Sequence, residues 1–66
     1  MTPNQYRAAL RRLCLTQIGA AKLFGANERT SRYWANGERG IPPCVGIVLR
    51  LLVAGKITIA DVDAVR

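Results

Sequence analysis

Five side chains between Glu28 and Asn36 have the types and spacing for joint recognition chemistry: Glu28, Arg29, Arg32, Tyr33 and Asn36. At about 3.6 residues per turn they project from one side of a helix, while Thr30 and Trp34 turn to the other. A guanidinium fork can meet two acceptors at once, a carboxylate accepts amino protons, and a phenol can meet a methyl group or an anion. That is the chemistry of reading a surface, not of breaking bonds. The rest of the inventory agrees. The chain has no histidine, and its two cysteines, Cys14 and Cys44, have no recognisable base near them in sequence. The only neighbouring carboxylates, Asp61 and Asp63, fall nearly opposite one another on a helix, and no glycine-rich phosphate loop is present. The expectation is a protein that is not an enzyme and uses no cofactor or metal. A zinc site would need about four ligands, and two thiols in one chain do not supply them.

The elements that must position these residues are short helices. Thr2, Pro3 and Gln5 form a helix start with a capping-box pattern, and Tyr6, Leu10 and Leu13 follow at i, i+4 and i+7 as its buried stripe. Arg7 and Arg11 make a basic row beside that stripe, with Arg12 adjacent, and the helix is expected to stop near Leu13. Thr16 caps a second helix running to Phe24, with Ala20, Ala21, Leu23 and Phe24 on its inner side. Gly25 supplies a left-handed turn, and Asn27 caps a third helix after a break of Gly25, Ala26 and Asn27. This helix ends at Asn36 and Gly37. A loop follows, then Pro42 and Pro43 open a fourth helix reaching about Ala54, with Gly55 as its stop. Thr58 caps a last helix through Val65, with Asp61 in its first turn. The predicted fold class is all-α: a compact bundle of about five short helices in a single domain, residues 1–66.

Charge narrows the partner. The chain carries +6 at neutral pH, which favours a polyanion, nucleic acid before an acidic membrane surface. Residues 1–40 hold seven basic side chains against two acidic ones; residues 41–66 hold three against two. Binding is therefore expected in front, packing or pairing behind. The most apolar stretch, residues 41–54, contains Arg50 and is shorter than the roughly 20 residues a bilayer crossing takes. With no secretory pattern at the start, the expectation is a soluble cytoplasmic protein with no membrane partner, its two cysteines buried as free thiols.

From Gln17 the chain reads QIGAAKLFGANERTSRYWANGERG. Two helices crossing closely need a small residue at the fifth position, which is Ala21, and a turn-forming glycine at the ninth, which is Gly25. A modest apolar residue follows as Ala26, and Trp34 can anchor the second helix to the core. With Leu15, Thr16, Gln17, Leu23, Phe24, Arg29, Thr30, Gly37, Glu38 and Arg39, this pattern resembles the phage-repressor/Cro-like (XRE-type) helix-turn-helix family. The resemblance covers roughly residues 5–54 and is most specific over residues 15–37, with the helix-turn-helix itself at about 16–36. It implies a five-helix bundle acting as a dimeric transcriptional repressor. Small members of that family come from phages, antitoxins and self-regulating operons, including those that accompany anti-CRISPR genes. This chain departs from the pattern in four places. Cys14 stands where glycine is frequent, and Ser31 where valine or isoleucine is frequent. Leu10 and Ala35 replace a frequent arginine–glutamate pair, and losing both partners together leaves no charge stranded.

These readings assign residues to roles. The helix from about Glu28 to Asn36 is expected in the major groove of double-stranded DNA, with Glu28, Arg29, Arg32 and Tyr33 reading bases. Arg29 can take two acceptors of a guanine, Glu28 can accept from a cytosine amino group or else orient Arg29 or Arg32, and Tyr33 can touch a thymine methyl or a phosphate. Gln17, Asn27, Thr30, Asn36 and Arg39 are expected at backbone phosphates. Lys22, Arg11 and Arg12 read as solvated charges ahead of DNA contacts. Trp34 and Phe24 fall at core spacing and not as a base-stacking pair. Tyr6 reads as core with its hydroxyl at the rim. Ile47, Leu51, Ile57, Ile59 and Val62 can form a homodimer interface, or the last helix can fold back over them. The resemblance favours the dimer, since members of that family usually need two half-sites, here an inverted-repeat operator, for useful affinity. The alternative function is an antitoxin or adaptor gripping a protein partner through its apolar C-terminal half, residues 41–66. RNA is a third reading, poorly served because side chains cannot read the deep, narrow groove of an A-form duplex.

Overall fold

The computed structural model describes residues 1–66 as five helices without strands: α1 (Pro3–Arg12), α2 (Gln17–Leu23), α3 (Glu28–Asn36), α4 (Pro43–Val53) and α5 (Ile59–Val65). No helix is long and apolar enough to cross a membrane. The caps lie where the sequence places them. Thr2 and Gln5 exchange both capping-box bonds, at 3.1 and 2.9 Å, and Thr58 and Asp61 do the same at 3.1 and 2.8 Å. Thr16 and Asn27 accept from the amides of Gly19 and Thr30. α4 alone starts without a side-chain cap; its first turn rests on Pro42 and Pro43, whose backbone is preset for a helix start.

Three helices end in the same six-residue turn. At the end of α2, the Ala26 amide reaches the Ala21 carbonyl and the Gly25 amide reaches that of Lys22, with Gly25 at φ +67°. Gly55 repeats this after α4. After α1 the corresponding left-handed residue is Cys14 at φ +57°, with Leu15 bonded to Leu10 and Cys14 to Arg11. The departure noted at Cys14 therefore leaves the helix stop in place, one residue before Leu13, but puts a side chain in a conformation that glycine adopts freely. Both thiols are exposed, against the expectation of burial. Cys14 sits on a tight turn and Cys44 near the uncovered start of α4, so neither reaches the core.

The core is drawn mainly from the first four helices: Tyr6, Ala9, Leu10, Ala20, Leu23, Trp34, Ala35, Val45, Leu49 and Leu52. Tyr6 and Trp34 meet edge to face, ring centroids 5.9 Å apart. Ala20 and Ala21 are buried where α2 approaches α3, the small side chains that close crossing requires. Leu10 and Ala35 are both buried in this core, an apolar arrangement in place of an ion pair. Two expectations change. The Tyr6 hydroxyl does not sit at the rim; Tyr6 is 0% exposed and its oxygen lies 2.6 Å from that of Ser31, also 0% exposed. Ser31 thus anchors α3 by a hydrogen bond where a branched apolar side chain would do so by packing. Phe24 is only half-buried, because it lies one residue past the end of α2.

α5 folds back against α2, and the Arg66 guanidinium donates to the Lys22 carbonyl. Ile57, Ile59 and Val62 are half-buried and pack on the core from outside. Of the five residues expected at a dimer interface, the chain itself covers these three in part. Ile47 and Leu51, one turn apart on α4, stay 56% and 38% exposed.

Candidate nucleic-acid interface

α3 is held from three directions. Asn27 Oδ1 accepts from both the amide and the hydroxyl of Thr30, at 2.8 and 2.9 Å, which closes the start of the helix. Ser31, Trp34 and Ala35 are buried on its inner face. At its far end Gly37 turns left-handed at φ +80°, and the amides of Glu38 and Arg39 both point to the Tyr33 carbonyl. A helix fixed at both ends and along one side can present its other side in a set orientation.

That outer side carries Glu28, Arg29, Arg32 and Asn36, all exposed, and Tyr33, half-buried. Asn27, Glu28, Arg29 and Arg32 line an open concavity of about 500 Å³ with no apolar side chain in it. The only ion pair in the molecule, Arg66 with Asp63 at 2.7 Å, lies elsewhere. Glu28 consequently does not orient Arg29 or Arg32 through a salt bridge, and both guanidiniums keep their donors for an external acceptor. A free arginine beside a free glutamate can discriminate, since the pair favours a site with acceptors next to an amino donor and repels bare phosphate.

Tyr33 and Arg39 are joined. The Arg39 guanidinium carbon lies 4.9 Å from the Tyr33 ring centroid, so a cation rests over the face of the phenol. The sequence assigned one to bases and the other to phosphate without linking them. Only the left-handed turn at Gly37 brings the chain back over the helix. Thr30, expected at a phosphate, commits its hydroxyl proton to Asn27 and serves the cap instead. The side-chain nitrogen of Asn27 and the side chain of Asn36 make no bond within the chain, and both are exposed.

The most informative residue missed in the sequence is Arg7. Its guanidinium donates to the Ala35 carbonyl in the last turn of α3 and to Asn4 Oδ1. The last carbonyls of a helix have no partner within it, and a cation there also meets the negative end of the helix dipole. Arg7 thereby links α1 to α3 close to Leu10 and Ala35, where the resemblance implies an arginine–glutamate pair. The available signal was its position one turn before the basic Arg11. Arg7, Leu10, Arg11, Leu15 and Gln17 surround a second open concavity of about 300 Å³. The basic row of Arg7 and Arg11 therefore converges with the exposed Gln17 beside the start of α2.

No three histidine, cysteine, aspartate or glutamate side chains converge anywhere in the fold. The Tyr6 phenol has its pKa raised above the usual 10.0 because burial penalises the phenolate; the Ser31 hydrogen bond opposes this more weakly. It lies behind α3, not on its outer face. Compared with known proteins, the chain matches no family model, no curated protein and no solved structure.

Proposed function

We propose that this chain is a sequence-specific double-stranded DNA-binding transcriptional regulator, a homodimeric repressor of a phage or mobile-element operon such as one associated with anti-CRISPR genes. The observation that carries this reading is the outer face of α3, where exposed Arg29, Arg32 and Glu28 have no ionic partner within the chain. The helix bearing them is tied down at its cap, its inner face and its end. In this reading the tight turn at Gly25 makes α2 and α3 a helix-turn-helix, and α3 enters the major groove. Arg29, Arg32, Glu28 and Tyr33 read base edges. Gln17, Arg7 and Arg11 hold the backbone at one margin, and Asn36 and Arg39 hold it at the other, with the side-chain nitrogen of Asn27 as a further donor. The exposed stripe of Ile47 and Leu51 supports pairing of two copies, so that two half-sites lie about one helical turn, roughly 34–36 Å, apart. Residence in the cytoplasm, where such DNA would be met, belongs to the same proposal.

The test is selection from a pool of random duplex DNA across a salt series, followed by sequencing of the bound fraction. Enrichment of an inverted repeat is the expected result. Weak binding that vanishes at moderate salt and enriches no sequence would leave only the net charge at work and would refute the reading.

A further inference from the structure

A groove of about 290 Å³ runs between α1 and α4, on a part of the molecule the DNA reading does not use. Met1, Ala9, Leu49 and Val53 give it an apolar lining, and Arg12 from α1 and Arg50 from α4 stand at its walls. Both arginines are exposed, neither has an ionic partner, and no aspartate or glutamate lines the groove. Its volume lies at the bottom of the range of roughly 300–1,000 Å³ typical of small-molecule pockets, and it is open along its length. Such a space suits one or two apolar side chains of a partner better than an enclosed cofactor.

Charge and geometry select the partner. A second copy whose two-fold axis passed through the groove would set Arg12 and Arg50 against their own equivalents. The one acidic helix of the chain, α5, has its carboxylates engaged already, Asp61 at the Thr58 amide and Asp63 with Arg66. We infer that the α1–α4 groove is a docking site for an acidic amphipathic helix of another protein, its apolar stripe in the groove and its flanking carboxylates on Arg12 and Arg50. This is the helix-in-groove mode of recognition, with charge setting the register. On α1, Ala9 lies nearly opposite to Arg7 and Arg11 at about 3.6 residues per turn, and Arg12 lies about 100–140° from them. On α4, Leu49 and Val53 lie about 120–160° from the exposed Ile47 and Leu51, whereas Arg50 lies about 60° from Ile47 and about 100° from Leu51. The apolar floor of the groove therefore faces away from the proposed DNA and dimer faces, with Arg50 on the margin next to the Ile47 and Leu51 stripe, and the inference does not depend on either face.

The experiment is fluorescence anisotropy with a labelled helical peptide of about 14 residues, leucines on one stripe and glutamates on both flanks. Its controls are a lysine-flanked counterpart and a scrambled peptide of the same composition. The wild-type chain is expected to bind the acidic peptide about fivefold to tenfold tighter than either control, as two exposed ion pairs allow. The double variant Arg12→Glu, Arg50→Glu is expected to reverse the preference toward the lysine-flanked peptide, and the variant Arg29→Ala, Arg32→Ala to leave it unchanged. Equal binding of the scrambled peptide, indifference to the charge reversal, or loss of binding in the Arg29→Ala, Arg32→Ala variant would each overturn the inference. So would failure of the peptide where vesicles of anionic lipid bind through Arg12 and Arg50.

Discussion

The hydroxyl oxygens of Tyr6 and Ser31 lie 2.6 Å apart with both residues wholly buried, so one hydrogen bond pins α3 to α1 through the centre of the molecule. Each hydroxyl is the other's recorded side-chain partner. Tyr6→Phe or Ser31→Ala alone strands a buried hydroxyl, and each is expected to cost about 1–3 kcal/mol. The double variant removes both polar groups and is expected to cost less than the sum. Urea unfolding of the four proteins measures this; strict additivity would mean that the two groups do not act as a pair.

Alkaline stability follows from the same phenol. Burial raises the folded pKa of Tyr6 above 10.0, so the fold favours the neutral form. The stabilisation is complete below the unfolded value, near pH 10, and is lost as the pH rises from there through the higher folded value. A thermal-melt series from pH 8 to about 11.5 is expected to show a fall above pH 10 that is shallower in Tyr6→Phe. Superimposable slopes for the two proteins would exclude this phenol as the cause.

Cys14 occupies the left-handed position that Gly25 and Gly55 fill at the two equivalent helix ends. Its side chain is exposed, so little packing is lost on removing it. Cys14→Gly is expected to stabilise the chain by about 1 kcal/mol, and Gly25→Ala to destabilise it by about 1–2 kcal/mol. Denaturation midpoints decide it, and a destabilising Cys14→Gly would show that the thiol makes a contribution exceeding the relief of strain.

Arg29 and Arg39 should fail differently. Arg29→Ala is expected to cost about 1–3 kcal/mol in operator binding and to relax preference at one base pair. Arg39→Ala is expected to weaken binding to every sequence alike and to lower the salt slope by about one. Titrations of the selected operator and its single-base variants, at several salt concentrations, separate the two. Because Arg39 rests on the Tyr33 ring, a change in base preference on losing Arg39 would mean that Tyr33, not phosphate, is what Arg39 serves.

Local chemistry alone was enough to find every helix and nearly every boundary. Thr2, Thr16, Asn27 and Thr58 each satisfy amides within three residues, and Gly25, Gly37 and Gly55 turn the chain by their own conformational freedom. The outward stripe of Glu28, Arg29, Arg32 and Asn36 was equally legible, since helical period and a single buried tryptophan define it. What depended on residues distant in sequence was not. Tyr6 finds Ser31 across 25 positions and Arg7 finds Ala35 across 28, and no local pattern encodes either meeting. The thiols stand outside because their positions on turns and helix starts outweigh the burial preference of cysteine. The five apolar residues expected to act as one surface are divided by the fold. α5 lies back on α2, half-burying Ile57, Ile59 and Val62, while Ile47 and Leu51 remain on the free side of α4. Periodicity states which side chains must avoid water; only the packing of five short helices decides which of them the chain can cover by itself.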